Sequence, residues 1–331
     1  MKKIILICVA FIALNLCAYA SKMPPDTIKI TQGNTPNNEN DTTLILDAPN
    51  PPMNNVWKKI NNPNAKIVPY TYINEENVMW SKRIWREIDL RQKMNQSLYY
   101  PLVPVRDRKS FAQVIIDAVT KGYVLGKGEG KSDTIFLTAY ETEDMKRIYN
   151  KKMVGNLFAS AWDSLPSDTN GDGVTDIYFR FKNESSIGDI VKIRITEQWF
   201  FDKERSVMDV RTIAICLLMD EYKYLPGPGG SFIKVWFATK ELFWIYFPEA
   251  RPLFSQAECY NKKNDGARLS FDDIFWKRLF NGYIVKVENV YDRPISDMGQ
   301  DKGYLKGLDA LLEGEKIKNE MIEFEHNLWE Y

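Results

Sequence analysis

One stretch of the chain has the residue types and spacing of a specific chemistry: Asp168-x-Asn170-x-Asp172-Gly173-x-x-Asp176. Oxygen side chains at the first, third, fifth and ninth positions, with glycine at the sixth, form the pattern of a calcium loop. Ca²⁺ takes roughly six to eight oxygen ligands, and short carboxylates at alternate positions can surround it. The position where an EF-hand places its bidentate glutamate is Phe179, and no flanking helix pair is evident. The same residues also suit a turn joining a helix to a strand, because Asp and Asn bond their own backbone and glycine takes the tight corner. Two readings therefore stand: calcium held by Asp168, Asn170, Asp172 and Asp176, or a turn without metal.

Other chemistries have less to work with. His326 is the single histidine, beside Glu325 in a charged stretch near the end. That removes Ser-His-Asp and Cys-His catalysis and multi-histidine zinc sites. The glycines of Gly126-Lys127-Gly128-Glu129-Gly130-Lys131 lead towards a strand, so no helix N-terminus meets a phosphate there; a hairpin tip is expected. The 44 acidic residues supply carboxylate pairs, and glycoside hydrolysis needs two about 5 to 10 Å apart, a spacing that sequence does not give. No catalytic residue is assigned. Cys216 and Cys259 could pair, but Cys216 lies in the apolar run Ile213-Ala214-Ile215-Cys216-Leu217-Leu218, where a buried free thiol is the commoner state.

The elements that must position these residues follow from periodicity. Asn74 can cap a helix, and Val78, Ser81, Ile84-Trp85 and Ile88 recur at helical spacing. A turn at Asn95-Gln96-Ser97 follows. Phe111, Val114-Ile115 and Ala118-Val119 form one apolar helix stripe, which Gly122 ends. Residues 123–125 and 134–137 read as a hairpin, and 141–152 as an exposed charged helix. From Asp176 the period changes to two. Residues 177–181, 190–201 and 207–218 read as strands, 232–237 and 242–247 as a further pair ended by Pro248, and 283–290 as a last strand. Residues 272–281 read as a short helix, and 305–330 as a helix of alternating charge. On the strand Phe243-Trp244-Ile245-Tyr246-Phe247, alternate residues face opposite sides, so the sheet is apolar on both faces. Its cover is either its own helices or another subunit. The expected class is α+β: a mostly antiparallel sheet with helices at the N- and C-terminal ends of the ordered region.

The start of the chain points to export. Met1-Lys2-Lys3, an apolar run over residues 4–14 and Ala18-Tyr19-Ala20 have the layout of a secretory signal peptide over residues 1–20, cleaved before Ser21. Cys17 invites lipidation, but Leu16 stands before it where a small residue is wanted. Residues 21–68 are rich in Pro, Asn and Thr and read as a flexible arm; residues 69–331 form the α+β domain. The chain carries 44 basic and 44 acidic residues, and cleavage removes Lys2 and Lys3, leaving 42 against 44. So balanced a charge implies no nucleic-acid partner.

Longer runs carry a resemblance. Met79-Trp80-Ser81-Lys82-Arg83-Ile84-Trp85-Arg86-Glu87-Ile88-Asp89, then Leu98-Tyr99-Tyr100-Pro101, Leu242-Phe243-Trp244-Ile245-Tyr246-Phe247-Pro248-Glu249-Ala250-Arg251, Ser270-Phe271-Asp272-Asp273-Ile274-Phe275-Trp276 and the tail through Glu325-His326-Asn327-Leu328-Trp329-Glu330-Tyr331 resemble the GldN/PorN family. The likeness spans residues 75–331. It implies a periplasmic, non-enzymatic component of the type IX secretion and gliding-motility machinery of Bacteroidota. It also implies self-association in a ring, a GldK/PorK-type outer-membrane lipoprotein as partner, and contact with a GldM/PorM-type periplasmic shaft. The 168–176 loop is no part of the resemblance, so the family implies no calcium there. The alternative reading is a secreted calcium-dependent carbohydrate-binding or hydrolytic protein that uses its aromatics as sugar platforms.

Overall fold

The computed structural model describes residues 65–105, 108–125, 134–158, 161–167, 177–183, 186–226, 232–264, 266–298 and 301–328. The expected signal peptide, nearly all of the arm, the 126–131 tip and the 168–176 loop lie outside them.

In chain order the elements are β1 (Val78–Asp89), α1 (Gln96–Tyr99), α2 (Phe111–Thr120), β2 (Ala139–Tyr140), α3 (Lys151–Leu157), β3 (Ala161–Ser167), β4 (Ile177–Asn183), β5 (Ile190–Asp202), β6 (Val207–Pro226), β7 (Phe232–Tyr246), α4 (Phe247–Gln256), α5 (Phe271–Trp276), β8 (Tyr283–Val287) and α6 (Leu308–Asn327). Six strands form one sheet in the order β2-β7-β6-β5-β1-β8, with β3 and β4 as a separate pair. Every pairing is antiparallel. The α+β class expected from the sequence is the class observed.

The larger part of the core lies on one face of the sheet. Ile88, Ile193, Ile215, Phe243 and Ile245 pack there under Phe111 and Ile115 of α2, Phe254 of α4 and Phe271 and Phe275 of α5. Local chemistry starts these helices where they start. The Ser110 side chain accepts a hydrogen bond from Gln113 N (3.2 Å) at the head of α2. At α5, Ser270 Oγ accepts from Asp273 N (3.1 Å) while Asp273 Oδ2 accepts from Ser270 N (3.1 Å), which satisfies two donors that the first turn leaves open. Further along the same face of β1, Ile84 meets Ile317 and Met321 of α6. The opposite face buries Trp85, Cys216, Leu218 and Trp244, with Tyr140, Met145 and Met298 over them. The cover expected for a two-faced apolar sheet is thus helical on one side and made of loops on the other.

Several local expectations are corrected. Residues 78–89 form strand β1, not a helix. Their spacing mimics a helical stripe because both faces are occupied, one by Ile84, Arg86 and Ile88 and the other by Trp85 and Glu87. The charged stretch 141–152 has no apolar stripe to bury; it turns through Met145 at positive φ, and helix begins only at Lys151. The expected pair 232–237 and 242–247 is one continuous strand, β7. Pro248 does end it, and also sits in the first turn of α4, where its missing N–H costs nothing. The hairpin expected over 123–137 is reduced to a single bridge, Tyr123 to Ile135, among the described residues. Cys216 and Cys259 are both buried and free.

Candidate assembly surface

The four residues of the possible calcium loop, Asp168, Asn170, Asp172 and Asp176, lie outside the described residues. His326 is exposed on α6. Among the described residues no three His, Cys, Asp or Glu side chains converge as a metal site. Burial pushes the Cys216 thiol well above its ordinary range, which keeps it protonated.

Two charge clusters are buried instead, one on each face of the sheet. On one face, Glu197 Oε2 of β5 accepts from Arg86 Nε (3.4 Å), Arg278 Nη2 (3.3 Å) and Trp199 Nε1 (3.1 Å). On the other, Glu87 Oε1 of β1 accepts from Arg194 Nε (3.2 Å) and Nη2 (2.6 Å), and Oε2 from Tyr283 Oη (2.8 Å). Arg194 also holds Glu241 of β7. Burial pushes both carboxyls up, but their cationic neighbours outweigh it: Arg194 and Lys192 for Glu87, Arg86 and Arg278 for Glu197. Both end below the usual carboxylate range. A general base works best when its pKa is near the working pH. These groups are shifted the other way, and they tie β1, β5, β7 and β8 together.

The segment entering the domain is fastened at several points. Ser255 Oγ donates to Ala65 O (3.3 Å), Arg251 Nη2 to Val68 O (2.8 Å), and Arg211 Nη2 to Thr71 O. The Tyr70 ring stacks on Trp276 with centroids 5.1 Å apart, and the Arg251 guanidinium lies 4.2 Å from its centre. Residues 65–71 therefore form a strap across α4 and α5.

Among the described residues, a group of exposed apolar side chains lies on the outer part of β7. Beyond the β5 pairing, which ends at Met219, β6 and β7 continue as a ribbon from Asp220↔Thr239 to Pro226↔Phe232. On it Ile233 is 50% exposed, Val235 40%, Trp236 56% and Phe237 53%. An opening of about 850 Å³ lies between β8 and the start of α6, lined by Tyr283, Leu308 and Leu311 together with Arg86, Lys192 and Lys318. Grouped solvent-facing aromatics of the kind on the ribbon are a candidate contact surface.

A family model described as gliding motility associated protein GldN matches residues 73–330. The chain belongs to the GldN family. The match begins where the strap ends and takes in all eight strands and α6, so the six-stranded sheet, both charge clusters and the β6–β7 ribbon are parts of a GldN domain. The chain is accordingly a gliding-motility component. No curated protein matches it. The charge clusters and the strap escape sequence reasoning because their partners lie far apart in the chain, Arg86 from Glu197 and Glu87 from Arg194 by over a hundred positions. The ribbon's aromatics were visible as a cluster, but not their exposure.

Proposed function

We propose that this chain is a structural subunit of the type IX protein secretion and gliding apparatus. In this reading it is exported by residues 1–20 and stands in the periplasm. It self-associates in a ring, binds a GldK/PorK-type outer-membrane lipoprotein and touches a GldM/PorM-type shaft. The observation that carries the reading is the GldN match over the whole sheet domain, joined to the exposed aromatics Trp236 and Phe237 on its β6–β7 ribbon. A ring needs two different patches on each subunit, because like patches meeting head to head close at a dimer. The ribbon and the groove beside α6 supply two such patches. Among the described residues no helix is long and apolar enough to cross a membrane, so attachment through a lipid-anchored partner fits the reading.

The test is to purify the native complex from envelopes in mild detergent. The lipoprotein is expected in fixed ratio with this chain. Recovery of the chain alone, in envelopes that contain the lipoprotein, overturns the reading. Removing residues 22–64 is expected to weaken recovery of the lipoprotein.

A further inference from the structure

The outer edge of β7 is open. β2 pairs only with Trp244 and Ile245, so among the described residues no strand lies alongside residues 232–243 on that side. An open edge twelve residues long presents a row of N–H and C=O groups and is a template for another strand. Folded proteins blunt such edges with charge and with bulges, and β7 carries both. Its pairing with β6 shifts at Phe237, with Ala238 facing Glu221 and Trp236 facing Tyr222. Lys234 and Lys240 stand along it, each only loosely paired, at 3.9 Å from Asp189 and 3.8 Å from Glu221. Two β7 edges brought together would gather four lysines along one seam, two on each face. The edge thus rejects its own copy and favours a strand with acidic ends.

The arm contains one such segment. Of the two β-prone runs in a stretch otherwise rich in Asn and Pro, Thr27-Ile28-Lys29-Ile30-Thr31 carries a central lysine, whereas Asp41-Thr42-Thr43-Leu44-Ile45-Leu46-Asp47 has an aspartate at each end and no basic residue. Its two aspartates are six residues apart, as are Lys234 and Lys240, a span of about 20 Å in extended chain. In either direction of pairing an aspartate comes level with each lysine; the bulge at Phe237 turns Lys234 and Lys240 to opposite faces, so one of the two pairs meets on a shared face. Residues 48–64 bridge up to about 60 Å when extended, enough to reach a neighbouring molecule. Ile233, Val235, Trp236 and Phe237 are exposed on the ribbon and offer an added strand an apolar footing.

We propose that residues 41–47 of one copy add as a strand to the open edge of β7 in a second copy. The backbone pairs supply affinity, and Trp236, Phe237 and Val235 take up the side chains of Leu44, Ile45 and Leu46. The inference rests on the self-association proposed above and names its contact.

Two measurements on the full exported chain test it. In the first, Ile45→Pro removes a central N–H from the added strand without touching the folded domain. The assembled fraction in sedimentation is expected to fall at least fivefold, with an unchanged melting temperature. In the second, a preparation carrying Ile45→Cys is mixed with one carrying Val235→Cys and bridged with a short thiol cross-linker. The native thiols Cys216 and Cys259 are buried and stay silent. A two-chain product at least fivefold above either preparation alone is expected. Assembly undiminished by Ile45→Pro, with no mixed product, overturns the strand and leaves self-association standing. A product formed only when both cysteines share one chain overturns the second copy as donor. A chain that stays monomeric at every concentration overturns self-association itself.

Discussion

Arg251 and Asp272 face each other with two parallel hydrogen bonds, Nε to Oδ1 at 2.9 Å and Nη2 to Oδ2 at 3.1 Å, both side chains nearly out of water. The pair joins α4 to α5, and the same Nη2 also holds the Val68 carbonyl of the strap. One guanidinium thus fixes both the helical cover of the sheet and the point where the arm leaves the domain. Breaking one partner of a buried pair strands the other charge. Asp272→Ala should therefore destabilise the domain by about 3–5 kcal/mol. Tyr70→Ala removes the Trp276 stack and the cation–π contacts but strands no charge, so it should cost only about 1–2 kcal/mol. Both should speed tryptic cleavage after Lys66, which is exposed beside the strap. Denaturant midpoints together with the cleavage rate separate the two effects; Tyr70→Ala with unchanged cleavage would show that the strap is held without the ring.

Glu87 and Glu197 set the acid limit of the fold. Both carboxyls are held below the usual range in the folded chain, since their arginine partners outweigh burial. A depressed carboxyl stabilises the fold above its unfolded pKa of roughly 4.3, and that contribution is lost as pH falls through the folded value. Stability should therefore be level in this respect from pH 7 to about 5 and fall below about 4. Glu197→Gln should flatten the acid limb and lower stability at pH 7. An acid limb of unchanged steepness in Glu197→Gln would mean that other carboxylates control it.

Gly314 and Gly155 are both helical glycines with opposite expectations. A Cβ on Gly314 would sit 2.9 Å from Ile284 O, closer than backbone tolerates, because α6 lies directly on β8. A Cβ on Gly155 in α3 would meet nothing within 4 Å. Gly155→Ala should stabilise by about 0.5–1 kcal/mol through helix propensity alone. Gly314→Ala gains the same propensity, but α6 must lift off the sheet, for a net loss of about 1–2 kcal/mol. Thermal melts of the two variants side by side read the difference. Stabilisation by Gly314→Ala would show that α6 can slide without penalty.

The same packing explains what was legible in the sequence. α2 was plain because Phe111, Val114, Ile115, Ala118 and Val119 fall on one buried stripe, with Gln113, Asp117 and Thr120 half-buried beside it. β5 and β6 were plain because Ile, Val and aromatics dominate them. β1 was not. Arg86 and Glu87 are adjacent and are buried on opposite faces, so polarity along the strand does not track exposure. Only their partners Glu197 and Arg194, more than a hundred residues on, make burial of those charges tolerable. α4 was hidden for another reason: Pro248 and Pro252 both fall within it, the first in its opening turn. The assembly surface was half legible. The aromatic run through Trp236 and Phe237 could be seen, but its exposure depends on β6 and β7 outrunning β5, a fact of strand lengths that pairing alone decides.

Asn95 offers the sharpest separation of shape from hydrogen bonding. It is fully buried, and its side chain spans two chain segments. Nδ2 donates to Asp89 O and to Asn281 O, both at 2.8 Å, and Oδ1 accepts from Asn281 N at 2.8 Å. The amide thus joins the end of β1 to the loop that begins β8, next to Gly282, whose carbonyl accepts from Arg86 Nη1. Asn95→Leu keeps the volume, strands Asn281 N and Asn281 O and leaves Asp89 O only its bond from Gln92 N at 3.3 Å, so a loss of about 2–5 kcal/mol is expected. Asn95→Asp keeps the acceptor but turns the donor into a second oxygen facing two carbonyls. Ionised, it should be worse than leucine; protonated, it can donate to one of them. Its folded carboxyl is therefore raised, and by linkage its deficit should grow with pH, from pH 5 to pH 7, where wild type stays level in this respect. Urea denaturation of the two variants at both pH values measures this. An Asn95→Asp deficit that is the same at pH 5 and pH 7 would show that the side chain turns away from Asp89 O and Asn281 O, and that the link between β1 and β8 does not depend on it.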